Sequence, residues 1–267
     1  MHSFNSKLKY MVEEQKNCLC VGLDMNPETL GTTTLDELKA HTYRVIDATR
    51  EFALAYKPNF AFFERWGSEG FKWLEETVDY IGPDYIKIAD AKRGDIGNTA
   101  KQYAKSIFEY FKFDAVTLNP YMGKDSIEPF MQHKKKGVFV LCRTSNVSAS
   151  YIQGSVADDD SIFKKVVMLA NDLNRNSNIG LVVGATAINE LKIIRNLAPD
   201  LPMLIPGIGA QGGDLKESVI VGNKFSSALV NVSRNISFPR TIDSDSIYKS
   251  AENYFTSISR YLNVREK

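Results

Sequence analysis

Short apolar runs of β character alternate along the chain with longer amphipathic stretches, about eight times over. The runs are Cys18 to Asp24, Ala53 to Asn59, Tyr85 to Asp90, Ala115 to Asn119, Gly137 to Arg143, Gly180 to Gly184, Met203 to Gly207 and Ala228 to Ser233. Helix-start residues stand between them: Thr34 before the run from Leu35, Asp158 to Asp160 before Ile162, and Asp214 before Leu215. Strict β-then-α repetition specifies a parallel sheet, and about eight units in one domain of roughly 250 residues is the size at which such a sheet closes on itself. The expected fold is therefore α/β, a single (β/α)8 TIM barrel spanning residues 1–267, with Thr241 to Arg265 as its closing helix. A doubly wound open sheet would want a Gly-rich turn after the first strand, where Asp24-Met25-Asn26-Pro27 stands instead.

Charge and composition narrow the chemistry. Lysine plus arginine (33) balances aspartate plus glutamate (32), and the net charge of +1 gives no long-range attraction to nucleic acid or an anionic membrane. No apolar stretch is long enough to span a bilayer, and Met1 to Tyr10 is polar, so a cytoplasmic enzyme is expected. His2, His41 and His133 are scattered away from the glycine-rich and charged motifs, which argues against a histidine base or a histidine-held metal. Proton transfer then falls to lysine or carboxylate. Cys18, Cys20 and Cys142 sit in apolar runs and read as core thiols.

In a barrel of this kind the C-terminal strand ends carry the chemistry. Asp24, Lys57, Asn59, Asp90, Lys92, Asp95, Asn119, Ser145, Gln211 and Arg234 all fall at or just beyond such an end. Any one of them could cap a helix or reach solvent, but together they describe a convergent polar mouth. The sharpest cluster is Asp90-Ala91-Lys92-Arg93-Gly94-Asp95-Ile96-Gly97-Asn98-Thr99. Asp90 and Lys92 share a strand face at period two, within ion-pair reach, and Lys57 supplies a second cation to alternate with the carboxylates. A surface salt-bridge network is the plainer reading, and four charges at one barrel mouth weigh against it. Phosphate has its own candidates. Gly207-Ile208-Gly209-Ala210-Gln211-Gly212-Gly213 follows the seventh run and Ser233-Arg234 the eighth, the two loops that hold phosphate in these barrels. Arg234 can grip a phosphate with a bidentate fork.

Asp90-x-Lys92-x-x-Asp95 followed by Ile96-x-x-Thr99 resembles the signature of the orotidine 5′-phosphate decarboxylase family. The likeness runs in family order through Gly22-Leu23-Asp24, Lys57-Pro58-Asn59-Phe60, Thr117 to Gly123, Arg143 to Asn146, Gly207 to Asp214 and Ser233-Arg234. It looks most like the longer, type 2 subgroup. The resemblance implies decarboxylation of orotidine 5′-phosphate to UMP and CO2 in de novo pyrimidine biosynthesis, without metal or cofactor, on a homodimer. Lys92 would protonate C6, Asp90 would lie beside the departing carboxylate, and Lys57 would complete the charge array. Asp95 and Thr99 would reach into the neighbouring subunit's site, Asp95 extending the array and Thr99 contacting the ribose. Asp24 and Asn59 would meet the ribose or the charges, Ser145 the pyrimidine edge, and Gln211 with Arg234 the phosphate. One departure stands out: Ser233 occupies a position where the family often has glycine, and serine is less free to adopt positive φ. No fused phosphoribosyltransferase segment is visible, so the preceding step is expected on another chain.

Three other readings compete. Sugar-phosphate decarboxylases acting on 3-keto-gulonate 6-phosphate share the barrel and an Asp-x-Lys-x-x-Asp element but depend on magnesium. A Schiff-base aldolase would need Lys92 or Lys57 as a neutral amine. A phosphate-ligand sensor would keep Gln211 and Arg234 and have no use for the charged cluster.

Overall fold

The computed structural model describes residues 3–157 and 160–264. Eight parallel strands close a barrel: β1 (Leu19–Leu23), β2 (Ala55–Pro58), β3 (Ile86–Arg93), β4 (Ala115–Leu118), β5 (Gly137–Arg143), β6 (Ile179–Val183), β7 (Met203–Pro206) and β8 (Ala228–Val232). Each pairs with its neighbours in chain order, and β8 returns to β1 through Leu19↔Val230, Cys20↔Asn231 and Val21↔Val232. Helices cover the outer face, so β1, β2, β4, β6 and β8 are buried along their whole length. Burial on both faces is why these strands read in the sequence as continuous apolar runs rather than alternating ones. The expected (β/α)8 barrel is the observed fold.

The helix starts follow the capping residues in two of three cases. Thr34 accepts the Glu37 N–H at the start of Leu35–Thr49, and Asp214 accepts the Glu217 N–H at the start of Leu215–Gly222. The third is corrected. Asp160 lies in a short antiparallel ribbon with Ala157, and Ser161 is the residue that precedes the helix Ile162–Leu173; Asp158 and Asp159 lie outside the described residues. The closing helix runs Ser244–Val264, later than expected, because the Asp243 carboxylate takes the Ser246 N–H at 2.7 Å and sets the start; Arg265 lies outside the described residues.

Besides several short helices of four or five residues, a long one precedes the first strand. Phe4–Gln15 is capped by Ser3 and buries Phe4, Leu8 and Val12, spaced one helical turn apart. It lies on the N-terminal ends of β5 and β6. The Phe4 ring meets Phe139 edge-on, and a Cβ at Gly137 would come within 2.3 Å of that ring. This end of the barrel is thereby sealed, and the opposite end is left for the site.

All three cysteines are buried and free, as expected of core thiols, and burial pushes Cys18 and Cys20 up to about 12. Among the described residues no helix is long and apolar enough to cross a membrane.

Candidate active site

The C-terminal strand ends open into a cavity of about 630 Å³, lined by Asp24, Lys57, Asn59, Asp90, Lys92, Ser145, Gln211 and Arg234. Strand ends thus bring together eight of the residues expected there. At the centre stands Asp90 on β3, only 9% exposed. Its Oδ2 accepts from Lys57 Nζ at 2.5 Å and its Oδ1 from Lys92 Nζ at 2.5 Å. Lys57, on β2, is 3% exposed, whereas the Lys92 side chain is half exposed. One carboxylate therefore joins a buried ammonium to one that borders the open cavity.

The electrostatics follow from this pairing. Burial alone would raise the Asp90 carboxyl, but Lys57 and then Lys92 outweigh it and hold the group well below the usual carboxylate range. Burial would likewise lower Lys57; attraction to Asp90 and then Asp24 overcomes it and lifts the ammonium above its ordinary range. Asp90 is a fixed anion with both oxygens engaged, unsuited to collecting a proton. Lys57 is a fixed cation, which removes it as a Schiff-base nucleophile.

Local backbone explains how Lys92 reaches Asp90. The two share a face, yet Lys92 has φ +46°, and β3 shifts register against β4 between Ala89 and Arg93. Lys92 N–H donates to Thr117 Oγ1 at 3.0 Å, and Thr117 Oγ1 donates to Asp90 Oδ1 at 3.1 Å. No role is expected for Thr117 from the sequence, since a β-branched residue inside a strand reads as core. Asn231 is likewise unanticipated. It is 6% exposed on β8, lines the cavity, and its Oδ1, like Asp24 Oδ1, is buried without a hydrogen-bond partner.

Asn59 serves two ends. It caps Phe60–Glu64 through a 3.3 Å bond from the Ala61 N–H and also lines the cavity. Asn119, in contrast, turns away: its Oδ1 accepts the Tyr121 N–H and it does not line the cavity. Ser145 is held by its neighbours. Arg143 pairs with Glu190 and donates to the Thr144 carbonyl, while Gln153 bonds both the Thr144 N–H and its hydroxyl.

On the opposite wall, Gly207 and Gly209 adopt φ +102° and +79°, conformations an L side chain rarely takes. The Gly213 N–H bonds the Gly207 carbonyl and closes the loop, bringing Gln211 to the rim. Arg234 begins the short helix Arg234–Ser237. Before it, Ser233 has φ −115°, so the positive φ that glycine would permit is not needed here. Its hydroxyl donates to the Gly22 carbonyl at 3.1 Å.

Asp95 and Thr99 do not line this cavity. Asp95 Oδ1 accepts the Ile96 N–H at 2.8 Å, and Thr99 lies exposed on the helix Gly97–Lys105.

Behind the wall that carries Arg234, buried His41 sits with Nε2 2.9 Å from the Ser237 carbonyl and its ring on Phe238, a cavity residue. Burial pushes it down to about 4 from the ordinary 6.5. As pH falls below 6.5 the unfolded chain takes up a proton that the native imidazole refuses, so this contribution to stability is lost between about 6.5 and 4. Urea unfolding at pH 7 and pH 5 should show a loss of roughly 2 kcal/mol from this group, absent in His41→Gln. An equal slope in both proteins would refute it.

The family model described as orotidine 5′-phosphate decarboxylase / HUMPS family matches residues 17–238, most of the chain. The chain belongs to this family. Among similar orotidine 5′-phosphate decarboxylases, one from Dehalococcoides mccartyi is 44% identical over 246 residues, 89% of this chain and 90% of that one. One from Haloarcula marismortui is 43% identical over 277 residues, covering 98% and 99%. The structure of Leishmania donovani OMP decarboxylase superposes with a TM-score of 0.86 at 37% identity, covering 98% of this chain and 100% of that one. L. donovani UMP synthase gives 0.86 at 40% identity, with 94% of this chain matched to 56% of the longer one.

Proposed function

We propose that this chain converts orotidine 5′-phosphate to UMP and CO2 in pyrimidine biosynthesis, with Lys92 delivering the proton to C6. The observation that carries the reading is the Lys57–Asp90–Lys92 array at the cavity, in a chain 43% identical to an orotidine 5′-phosphate decarboxylase along nearly its whole length. The C6–carboxylate bond breaks and its electron pair stays on C6 as CO2 leaves. No cofactor ring is needed to receive that pair if a preorganised ammonium stands beside it. The Lys92 Nζ ammonium then protonates C6, and the resulting neutral amine regains a proton from solvent. Asp90 holds the ammonium in place, and Lys57 balances Asp90 from below. Gln211 and Arg234 grip the phosphate, Ser145 meets the pyrimidine edge, and Asp24 with Asn59 meets the ribose side.

The working unit in this reading is a cytoplasmic homodimer in which Asp95 and Thr99 complete the neighbour's site. Their exclusion from their own chain's cavity supports that arrangement. Mixing Lys92→Ala with Asp95→Asn subunits should restore about a quarter of wild-type activity, since half the random dimers carry one intact site. Mixtures no more active than the separate variants would count against shared sites.

The direct test is loss of orotidine 5′-phosphate ultraviolet absorbance on adding EDTA-treated protein. Undiminished turnover is expected. Turnover that vanished with chelator and returned with magnesium would point to the metal-dependent sugar-phosphate branch instead.

A further inference from the structure

We propose that Thr117 is a positioning residue that sets both Asp90 and Lys92 for the reaction. The inference rests on Lys92 as the proton donor and adds a residue to which no role has been given.

The geometry begins with a mismatch between two strands. β3 and β4 pair at Ala89↔Val116 and again at Arg93↔Leu118. Between these points Asp90, Ala91 and Lys92 face a single residue, Thr117. A bulge of this kind leaves backbone groups without ladder partners and re-aims the side chains beside it. Here the Thr117 side chain takes the place of the missing strand carbonyl: its oxygen accepts the Lys92 N–H at 3.0 Å. That bond secures a left-handed backbone, φ +46°, which is unfavourable for any residue with a Cβ.

The same hydroxyl has one proton to give, and it goes to Asp90 Oδ1 at 3.1 Å. Lys92 Nζ bonds that same oxygen at 2.5 Å. Thr117 Oγ1, the Lys92 backbone and side chain, and Asp90 Oδ1 thus form a closed ring of contacts. Thr117 is 1% exposed, so water cannot substitute freely for its hydroxyl. The ring fixes where Lys92 stands and which carboxylate oxygen faces it. Neither the phosphate wall nor Ser145 depends on it, so substrate capture and proton delivery are separable.

Thr117→Val keeps the shape and removes both hydrogen bonds. It should lower kcat for orotidine 5′-phosphate by about 10- to 100-fold, as small misplacements of reacting groups do, with KM within about threefold of wild type. Thr117→Ser, which restores the hydroxyl, should recover kcat to within about fivefold. If Thr117→Val does not fold, Thr117→Cys carries the same expectation, because a thiol is a weak donor and acceptor. A valine variant with wild-type kcat, a serine variant as slow as valine, or a loss carried by KM alone would overturn the proposal. Lys92→Ala measured alongside separates the two readings. An inactive Lys92→Ala beside a fully active Thr117→Val sinks only the role of Thr117, whereas an active Lys92→Ala sinks the proton-donor assignment beneath it.

Discussion

Replacing Lys92 with alanine should slow decarboxylation by about 10⁴-fold or more while leaving nucleotide binding within an order of magnitude. The size follows from two losses at one position. A positioned general acid contributes roughly 10²–10⁴, and a preorganised charge beside a developing anion roughly another 10²–10³. Binding should survive because Gln211 and Arg234 lie on the far wall, on loops that Lys92 does not touch. Folding should survive too, since the Lys92 side chain is half exposed and Asp90 keeps Lys57. Steady-state turnover of orotidine 5′-phosphate and titration with UMP check the two halves. Near-normal turnover would remove Lys92 from the mechanism. A collapse of UMP affinity would mean that it serves binding rather than chemistry.

Asp90→Ala should destabilise the protein by about 3–5 kcal/mol as well as abolishing activity. Lys57 is 3% exposed, and without Asp90 its buried charge would lose its hydrogen-bonded partner and keep only the attraction of Asp24. The diagnostic comparison is a double variant, Lys57→Met with Asp90→Leu. It should recover most of the lost stability without recovering activity, because a buried ion pair replaced by apolar groups of like size is often neutral or better. Urea unfolding of the three proteins checks this. If the double variant is as unstable as Asp90→Ala, the pair is not the source of the loss.

The barrel was legible because parallel strands covered on both faces favour apolar residues, and all eight runs are mainly apolar although Lys87 interrupts the third and Asn231 the eighth. Run ends were less faithful guides. The third apolar run stops at Asp90, but the strand is expected to carry on through Lys92, and β3 does so and ends at Arg93, since strand pairing depends on backbone groups and not on side-chain polarity. Asp160 looked like a cap because carboxylates favour helix starts, but its chain is held in a ribbon one residue too early. Eight of the site residues could be placed from their position at strand ends. Asp95 is expected at the mouth from its strand-end position as well as from the family motif, and Thr99 from the motif alone, yet neither lines its own chain's cavity, because a strand end fixes a backbone position and not where the following loop turns. Thr117 was hidden by type: only the register shift between β3 and β4, which no residue pattern announces, turns a strand threonine into a partner of two charged groups.

The seam between β1 and β8 has a consequence of another kind. A Cβ on Gly22 would lie 2.6 Å from the Cβ of Ser233, so the two positions share one small volume that holds a single side chain. This chain spends that volume on the serine, whose hydroxyl then ties the two strands at the Gly22 carbonyl. Alanine at position 22 should be tolerated better beside Ser233→Gly than beside the serine, with only the Asn231 amide oxygen, 3.2 Å from the added Cβ, left to give way. Tolerance to change at either site is thus a property of the pair, and a survey of variants one position at a time would misjudge both.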